Sequence, residues 1–278
     1  FCDEIQDLPI DFIKSIQGFC THLVIAGDAE QSIYNNVPGF EGNTATPLEI
    51  TNGILPIEKN LGIIYRLTNS ILNILKKVFP AMLADKPNIA NNDTEIALYQ
   101  ANSIDEEINF CWNEIKRTNT IRTSSVSAIL IYKQDDIVEF INKVLQIEGK
   151  ELWVRVNKAD GKPNYDLLNN HLIINNIPLV YVGNGHGSLS DADKYNKVVI
   201  MTYHSSKGLD FDYVYLPMVS NNMNIFTNEN PILLVALSRS KSGLFISYTN
   251  NLYPGLQRFL AEVKVNKIQE DNSSDIIF

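Results

Sequence analysis

Five short stretches concentrate the side chains that can handle phosphate, a divalent metal or a nucleic-acid strand. The first is Asp3-Glu4, with Gln6 and Asp7 behind it. Two adjacent carboxylates at the end of a buried strand can divide labour in phosphoryl transfer, one holding Mg²⁺ and the other orienting the attacking water. The same pair is also what opens a helix, where acids meet the positive end of the dipole. The second, residues 27–34 (GDAEQSIY), follows an apolar run with a Gly turn and then offers amide and hydroxyl groups that could sense a terminal phosphate. A plain strand-to-helix turn has the same composition. The third is Tyr65-Arg66, an aromatic that can stack on a base beside a guanidinium whose fork of donors suits a phosphate.

The fourth stretch, residues 197–217 (KVVIMTYHSSKGLDFDYVYLP), joins two β-rich apolar runs through a polar turn. That turn carries Thr202, His204, two serines, Lys207, Gly208 and the carboxylates of Asp210 and Asp212. A polar βα loop could be no more than a connection, yet strands of an open α/β sheet deliver their ligand-binding loops in this way. The fifth, residues 234–241 (LVALSRSK), is an apolar helix with a basic end, where Arg239 and Lys241 complement the C-terminal dipole before Gly243.

Positioning these groups requires strand ends. The pattern predicts a strand ending at Glu4, a helix over 9–19 and a strand over 22–26. Residues 35–60 are polar and rich in Gly, Pro and Thr, and read as loop with at most short ordered pieces, where a domain boundary falls most easily. Beyond Thr68, an N-cap, a helix runs to Val78. Strands over 95–99 and 127–132 then alternate with helices over 104–116 and 135–147. Residues 151–156 fit a further strand or edge hairpin, 165–175 a weak helix, 178–182 a strand and 183–196 a loop. After the fourth stretch come a helix over 231–240, a strand over 244–248 and a short helix over 254–263, with a polar tail from Lys264. Strands alternating with helices of this length imply an α/β protein, a parallel sheet covered on both faces.

Bulk properties narrow the field. The 278 residues, 45% hydrophobic and 20% charged, can bury a sizeable core. A net charge of −9 excludes strand binding by overall basicity but permits a narrow groove served by a few residues. Cys2, Cys20 and Cys111 are too few and too far apart for a disulfide framework or a zinc site, so a reducing cytoplasm is expected. The chain starts on Phe1 with a motif already under way, as a fragment of a longer protein would.

Taken in order, DEIQD, GDAEQSIY, YR, TYHSSKGLDFDYVYLP and VALSRSK resemble the second half of the motif series of superfamily-one helicases of the UvrD/Rep type. The resemblance covers most of the chain. It implies the end of a first RecA-like domain over residues 1–55 and a second, complete one over 56–263, before a mobile tail at 264–278. The implied fold is a RecA-like parallel sheet of the P-loop NTPase helicases. The implied activity is the C-terminal part of an ATP-dependent DNA helicase or translocase working on single-stranded DNA with ATP and Mg²⁺.

By that resemblance Asp3 and Glu4 hold the metal, Glu4 also activates water, and Gln31 links the γ-phosphate to DNA. Tyr65 stacks on adenine, Arg66 and Arg239 contact the γ-phosphate, and Gly208 and Asp210 approach the nucleotide. Tyr34, Thr202 and His204 face the DNA. There are three departures from the family pattern. No GxxxxGK[ST] loop occurs in these residues, so hydrolysis by this chain alone is not expected. After Tyr34 the sequence reads Asn35-Asn36-Val37-Pro38 where an aromatic and Arg-Gly are usual, with Phe40 a substitute for base stacking. Only the loop 183–196 stands where unwinding members insert a large helical domain, which suits translocation better than unwinding of long duplex. The rival reading is a degenerate RecA-like module that binds or regulates without hydrolysis.

Overall fold

A computed structural model of the chain describes residues 1–33, 44–59, 67–80, 93–122, 125–159, 161–221, 223 and 230–268. Its helices are α1 (Ile10–Phe19), α2 (Pro47–Ile54), α3 (Asn69–Val78), α4 (Ile104–Ile121), α5 (Gln134–Ile147), α6 (Tyr165–Ile174), α7 (Leu189–Lys194) and α8 (Asn230–Leu237). The strands are β1 (Glu95–Ala101), β2 (Ser127–Ile131), β3 (Leu179–Tyr181), β4 (Val198–Thr202), β5 (Phe211–Leu216), β6 (Ser240–Thr249) and β7 (Val265–Lys267). They form one sheet in the order β3-β4-β2-β5-β6-β1-β7, and every pairing within it is parallel.

The pleat divides each strand's apolar residues between two cores, because successive side chains point to opposite faces. Leu98, Leu130, Val199, Met201, Val214 and Leu244 enter one core with α3 and α8. Tyr99, Ile129, Ile200, Tyr215 and Phe245 enter the other with α4, α5 and α6. Both faces are thus buried, as strands with near-continuous apolar runs demand. Side-chain caps start several helices: Thr68 accepts from the Ile71 amide, Ser103 from Glu106 and Ser188 from Asp191. Glu107, buried on α4, accepts from Ser247, Thr249 and the Met218 amide and ties that helix to β6. Burial pushes its carboxyl up from the usual range against those three bonds.

A third, small core of Ile5, Ile13 and Ala45 joins α1 and α2, while Ile33 already packs into the large core beside α3. Several expectations are corrected. Within 35–60 the short ordered piece is the two-turn helix α2, nucleated by a capping box in which Thr46 and Glu49 satisfy each other's amides. The strands expected at 1–4 and 22–26 reduce to a single parallel bridge, Cys2 to Ile25. Residues 151–156 make no strand, because the Trp153 backbone is bonded on both sides by the Asn142 side chain. The loop 183–196 holds α7, and the polar tail holds β7, which pairs with β1. The helix expected to reach Ser240 stops at Leu237, since Ser240 already begins β6.

Candidate functional site

Strand direction decides where the fourth stretch lies. Thr202 ends β4 and Phe211 begins β5, and both run parallel to β2. The intervening loop therefore travels from the carboxyl edge of the sheet back to its amino edge. A sequence reading puts the whole turn at a strand's carboxyl end; the fold separates its two halves by the depth of the sheet.

At the carboxyl end, Thr202 is buried and its Oγ1 accepts from the Ser205 amide at 3.1 Å while bonding the Ser205 hydroxyl at 2.9 Å. It caps the short 3₁₀ turn His204–Ser206, on which His204 sits half-buried. Gly208 follows at φ +77°, a left-handed conformation that side-chain-bearing residues resist, with open space where a Cβ would stand. Asp210, directly before β5 and so already at the amino edge, is half-buried.

At the amino edge Arg239 is 1% exposed. Its guanidinium donates to the Val235 carbonyl at 2.8 Å, the Leu209 carbonyl at 3.1 Å and the Ser238 hydroxyl at 2.8 Å. The Phe211 amide donates back to the Arg239 carbonyl at 3.0 Å. The arginine that reads in sequence as a basic helix end is therefore a buried clasp between the end of α8 and the loop carrying Gly208 and Asp210.

The acidic stretch near the start of the chain approaches that loop through Lys207. Cys2 and Ala26 exchange backbone bonds of 2.9 Å with Val24 and Cys2, after which Glu4 turns sharply at φ 54°, ψ 38°. A non-glycine residue there stores about 1–2 kcal/mol of strain, and such strain persists only where surrounding contacts enforce it. Asp3 remains exposed and its Oδ1 accepts the Glu4 amide at 2.9 Å. Glu4 Oε2 takes a bond from Gln6 Nε2 and lies 3.3 Å from Lys207 Nζ. The Lys207 ammonium, its side chain 7% exposed, also donates to Asp7 Oδ2 at 2.5 Å and to the Gln31 carbonyl at 2.8 Å. Gln6 Oε1 accepts the Asp28 amide at 3.0 Å, and Asp28 Oδ2 accepts from Gln31 Nε2 at 3.1 Å. Glu4, Gln6, Asp28, Gln31 and Lys207 thereby close a ring of polar contacts that joins residues 4–31 to the loop between β4 and β5.

Of the expected site residues, Asp3, Glu4 and Gln31 come together with the Lys207 end of the loop, and Arg239 binds that same loop at Leu209. Thr202 and His204 sit at its other end. Tyr34, Tyr65 and Arg66, with Phe40, lie outside the described residues. Lys207, Gln6 and Asp7 join the site although sequence reading assigned them no role. A lysine directly before a glycine in a polar turn was the available signal, but its partners lie about two hundred positions away.

Asp7 Oδ1 is buried and has no hydrogen-bond partner among the described residues. Burial pushes the Asp7 carboxyl up, Lys207 pulls it down without overcoming that, and the neighbouring Glu4 charge pushes it up further. A carboxyl raised in the folded state holds its proton longer than in the unfolded chain, so stability falls as pH rises through its folded pKa. Replacing Lys207 by Met removes the opposing pull. Chemical denaturation of Lys207→Met against the parent should show a loss of about 3 kcal/mol near neutral pH that shrinks toward about pH 4. A loss that is the same at both pH values would mean that the ammonium does not serve Asp7.

An all-parallel sheet of seven strands covered on both faces makes this an α/β protein, with charged groups gathered on the loop between β4 and β5. Residues 185–251, the stretch with Thr202, His204, Lys207, Gly208, Asp210 and Arg239, match the model of the UvrD-like helicase C-terminal domain. No curated protein matches the chain. Among solved structures, it is similar to the C-terminal domain of a possible DNA helicase from Lactobacillus plantarum WCFS1, at 14% identity and TM-score 0.46, over 74% of this chain and 99% of that one. It is also similar to S. cerevisiae Dbp5 bound to RNA and ADP BeF3, at 12% identity and TM-score 0.42, over 96% of this chain and 59% of that one.

Proposed function

We propose that the chain is the C-terminal part of an ATP-dependent motor that moves on single-stranded DNA, with its hydrolytic site completed by a phosphate-binding loop outside these residues. The observation that carries this reading is the Lys207 ammonium lodged between Glu4, Asp7 and the Gln31 carbonyl, which joins the acidic stretch of one body to the helicase-family loop of the other.

The donor set fits Mg²⁺ with a nucleotide. Asp3 and Glu4 offer hard carboxylate oxygens on an exposed turn, and no group of three or more metal-ligating side chains occurs among the described residues. Mg²⁺ held by one or two carboxylates takes its remaining ligands from water and phosphate. When bound, ATP with Mg²⁺ supplies the transferable phosphoryl group and neutralises its charge. Glu4 Oε1, which makes no hydrogen bond among the described residues, is the oxygen that takes a proton from water. Gln31 orients toward the phosphate side, Tyr65 stacks on adenine, and Arg66 and Arg239 supply positive charge as the bodies close. Gly208 and Asp210 flank the nucleotide, and Tyr34, Thr202 and His204 face the strand. With only α7 between β3 and β4, the motor translocates rather than unwinding long duplex.

The internal bonds of Arg239 and Thr202 favour the second reading, a module that binds without hydrolysing. ATPase of the full-length protein with and without single-stranded DNA separates the two. Strand-stimulated turnover is expected; its absence sides with the module. Thr202→Ala and His204→Ala should each cut the stimulated rate by about tenfold and leave the basal rate nearly unchanged. Equal loss of both rates would remove them from the DNA face. For location, the structure gives one fact: no helix among the described residues is long and apolar enough to cross a membrane.

A further inference from the structure

We propose that Gln6 is a positioning residue that fixes the Glu4 carboxylate and couples it to Gln31, an assignment that rests on the functional reading above. Gln6 is 4% exposed, and the orientation of its amide is determined from both ends. Its Oε1 accepts the Asp28 N–H at 3.0 Å, which leaves Nε2 as the end that meets Glu4. An ionised carboxylate only accepts, so the reverse orientation would lose both bonds.

Three features show that the surroundings are built around this amide. A Cβ on Gly27 would stand 2.5 Å from Gln6 Oε1 and 2.6 Å from Ile5 Cγ2, so the turn closes on Gln6 only with glycine there. The Gln6 carbonyl is itself held by the Ser32 hydroxyl at 3.2 Å. Asp28, fixed through its amide by Gln6, uses Oδ2 to hold the Gln31 side chain at 3.1 Å.

Glu4 needs such a guide. Its side chain is 49% exposed, so packing does not select a rotamer, and its strained backbone must be held by contacts. Gln6 and Lys207 both take Oε2, which directs Oε1 outward. Any displacement of Gln31 shifts Asp28, then the Gln6 amide, then the carboxylate.

Two substitutions in the full-length protein separate the bonds. Gln6→Leu keeps a buried side chain of similar size and removes both. Gln6→Glu keeps an acceptor for the Asp28 amide but offers the ionised Glu4 no donor. The first readout, independent of turnover, is hydrogen exchange of the Asp28 amide, expected to speed by about tenfold in Gln6→Leu and to stay near the parent rate in Gln6→Glu, with the core helices unchanged in both. The second is kinetic: both variants should lose about tenfold or more in kcat while KM and the affinity for a non-hydrolysable ATP analogue stay within about twofold. Unaltered Asp28 exchange in Gln6→Leu, or an unaltered kcat in both variants of an active enzyme, overturns the assignment alone. A parent protein without strand-stimulated turnover overturns the functional reading first, and this coupling with it.

Discussion

Arg239→Ala in the full-length protein is expected to lower strand-stimulated hydrolysis by roughly 10³-fold, within the range an arginine at a transferred phosphate supplies. ATP affinity should fall only modestly, because the guanidinium is asked to stabilise developing charge rather than the ground state. The structure adds a second effect. Arg239 clasps the carbonyls of Val235 and Leu209 in a buried setting; Val235 keeps the Ser238 amide and hydroxyl as donors, so truncation should also cost about 1–3 kcal/mol of stability mainly through the Leu209 carbonyl left without its donor. Arg239→Lys separates the two: one ammonium can serve one of those carbonyls but cannot reproduce the fork, so stability should recover more than turnover does. Turnover of Arg239→Ala within about threefold of the parent, per folded molecule, would confine Arg239 to the clasp.

That double duty bears on what the sequence discloses. The sheet was legible because its strands are buried on both faces and so read as apolar runs; β2, β4 and β5 fall where the runs are. α2 escaped although Thr46 and Glu49 form a capping box, because the Gly, Pro and Thr around it signal loop more strongly over a window of that length. β7, read as tail, is a short polar edge strand whose pairing with β1 no local pattern reveals. Around Lys207, the residue types of Asp3, Glu4, Gln31 and the polar turn could be singled out in the sequence, since they are types suited to phosphate chemistry. The burial of Arg239 was not, because a basic residue at a helix end looks the same whether it meets solvent or a neighbouring loop. Lys207 and Gln6 were hidden for a related reason: their meaning lies in partners brought by tertiary contact, Asp7 and Gln31 for one and Asp28, which fixes the amide toward the nearby Glu4, for the other.

Glu4→Gln tests the centre of that ring with the smallest change of shape. The amide cannot take a proton from water, so turnover in the full-length protein should fall by about 10²–10⁴-fold, the span a positioned general base contributes. The fold should tolerate it well. A glutamine oxygen can still accept from Gln6 Nε2, and Lys207 retains Asp7 and the Gln31 carbonyl, so Lys207 keeps two of its three contacts to the acidic stretch and Gln31. Losing the Glu4 charge also removes one of the influences that hold the Asp7 carboxyl up, which makes the Asp7–Lys207 pair easier to ionise. Unfolding near neutral pH should therefore be unchanged or slightly harder, while turnover collapses and a non-hydrolysable ATP analogue still binds. A variant that loses analogue binding in proportion to turnover would make Glu4 a nucleotide-holding group and pass the base role to another residue. One that keeps turnover would break the tie between the strained turn and the chemistry, leaving Lys207 to hold the acidic stretch for structural reasons alone.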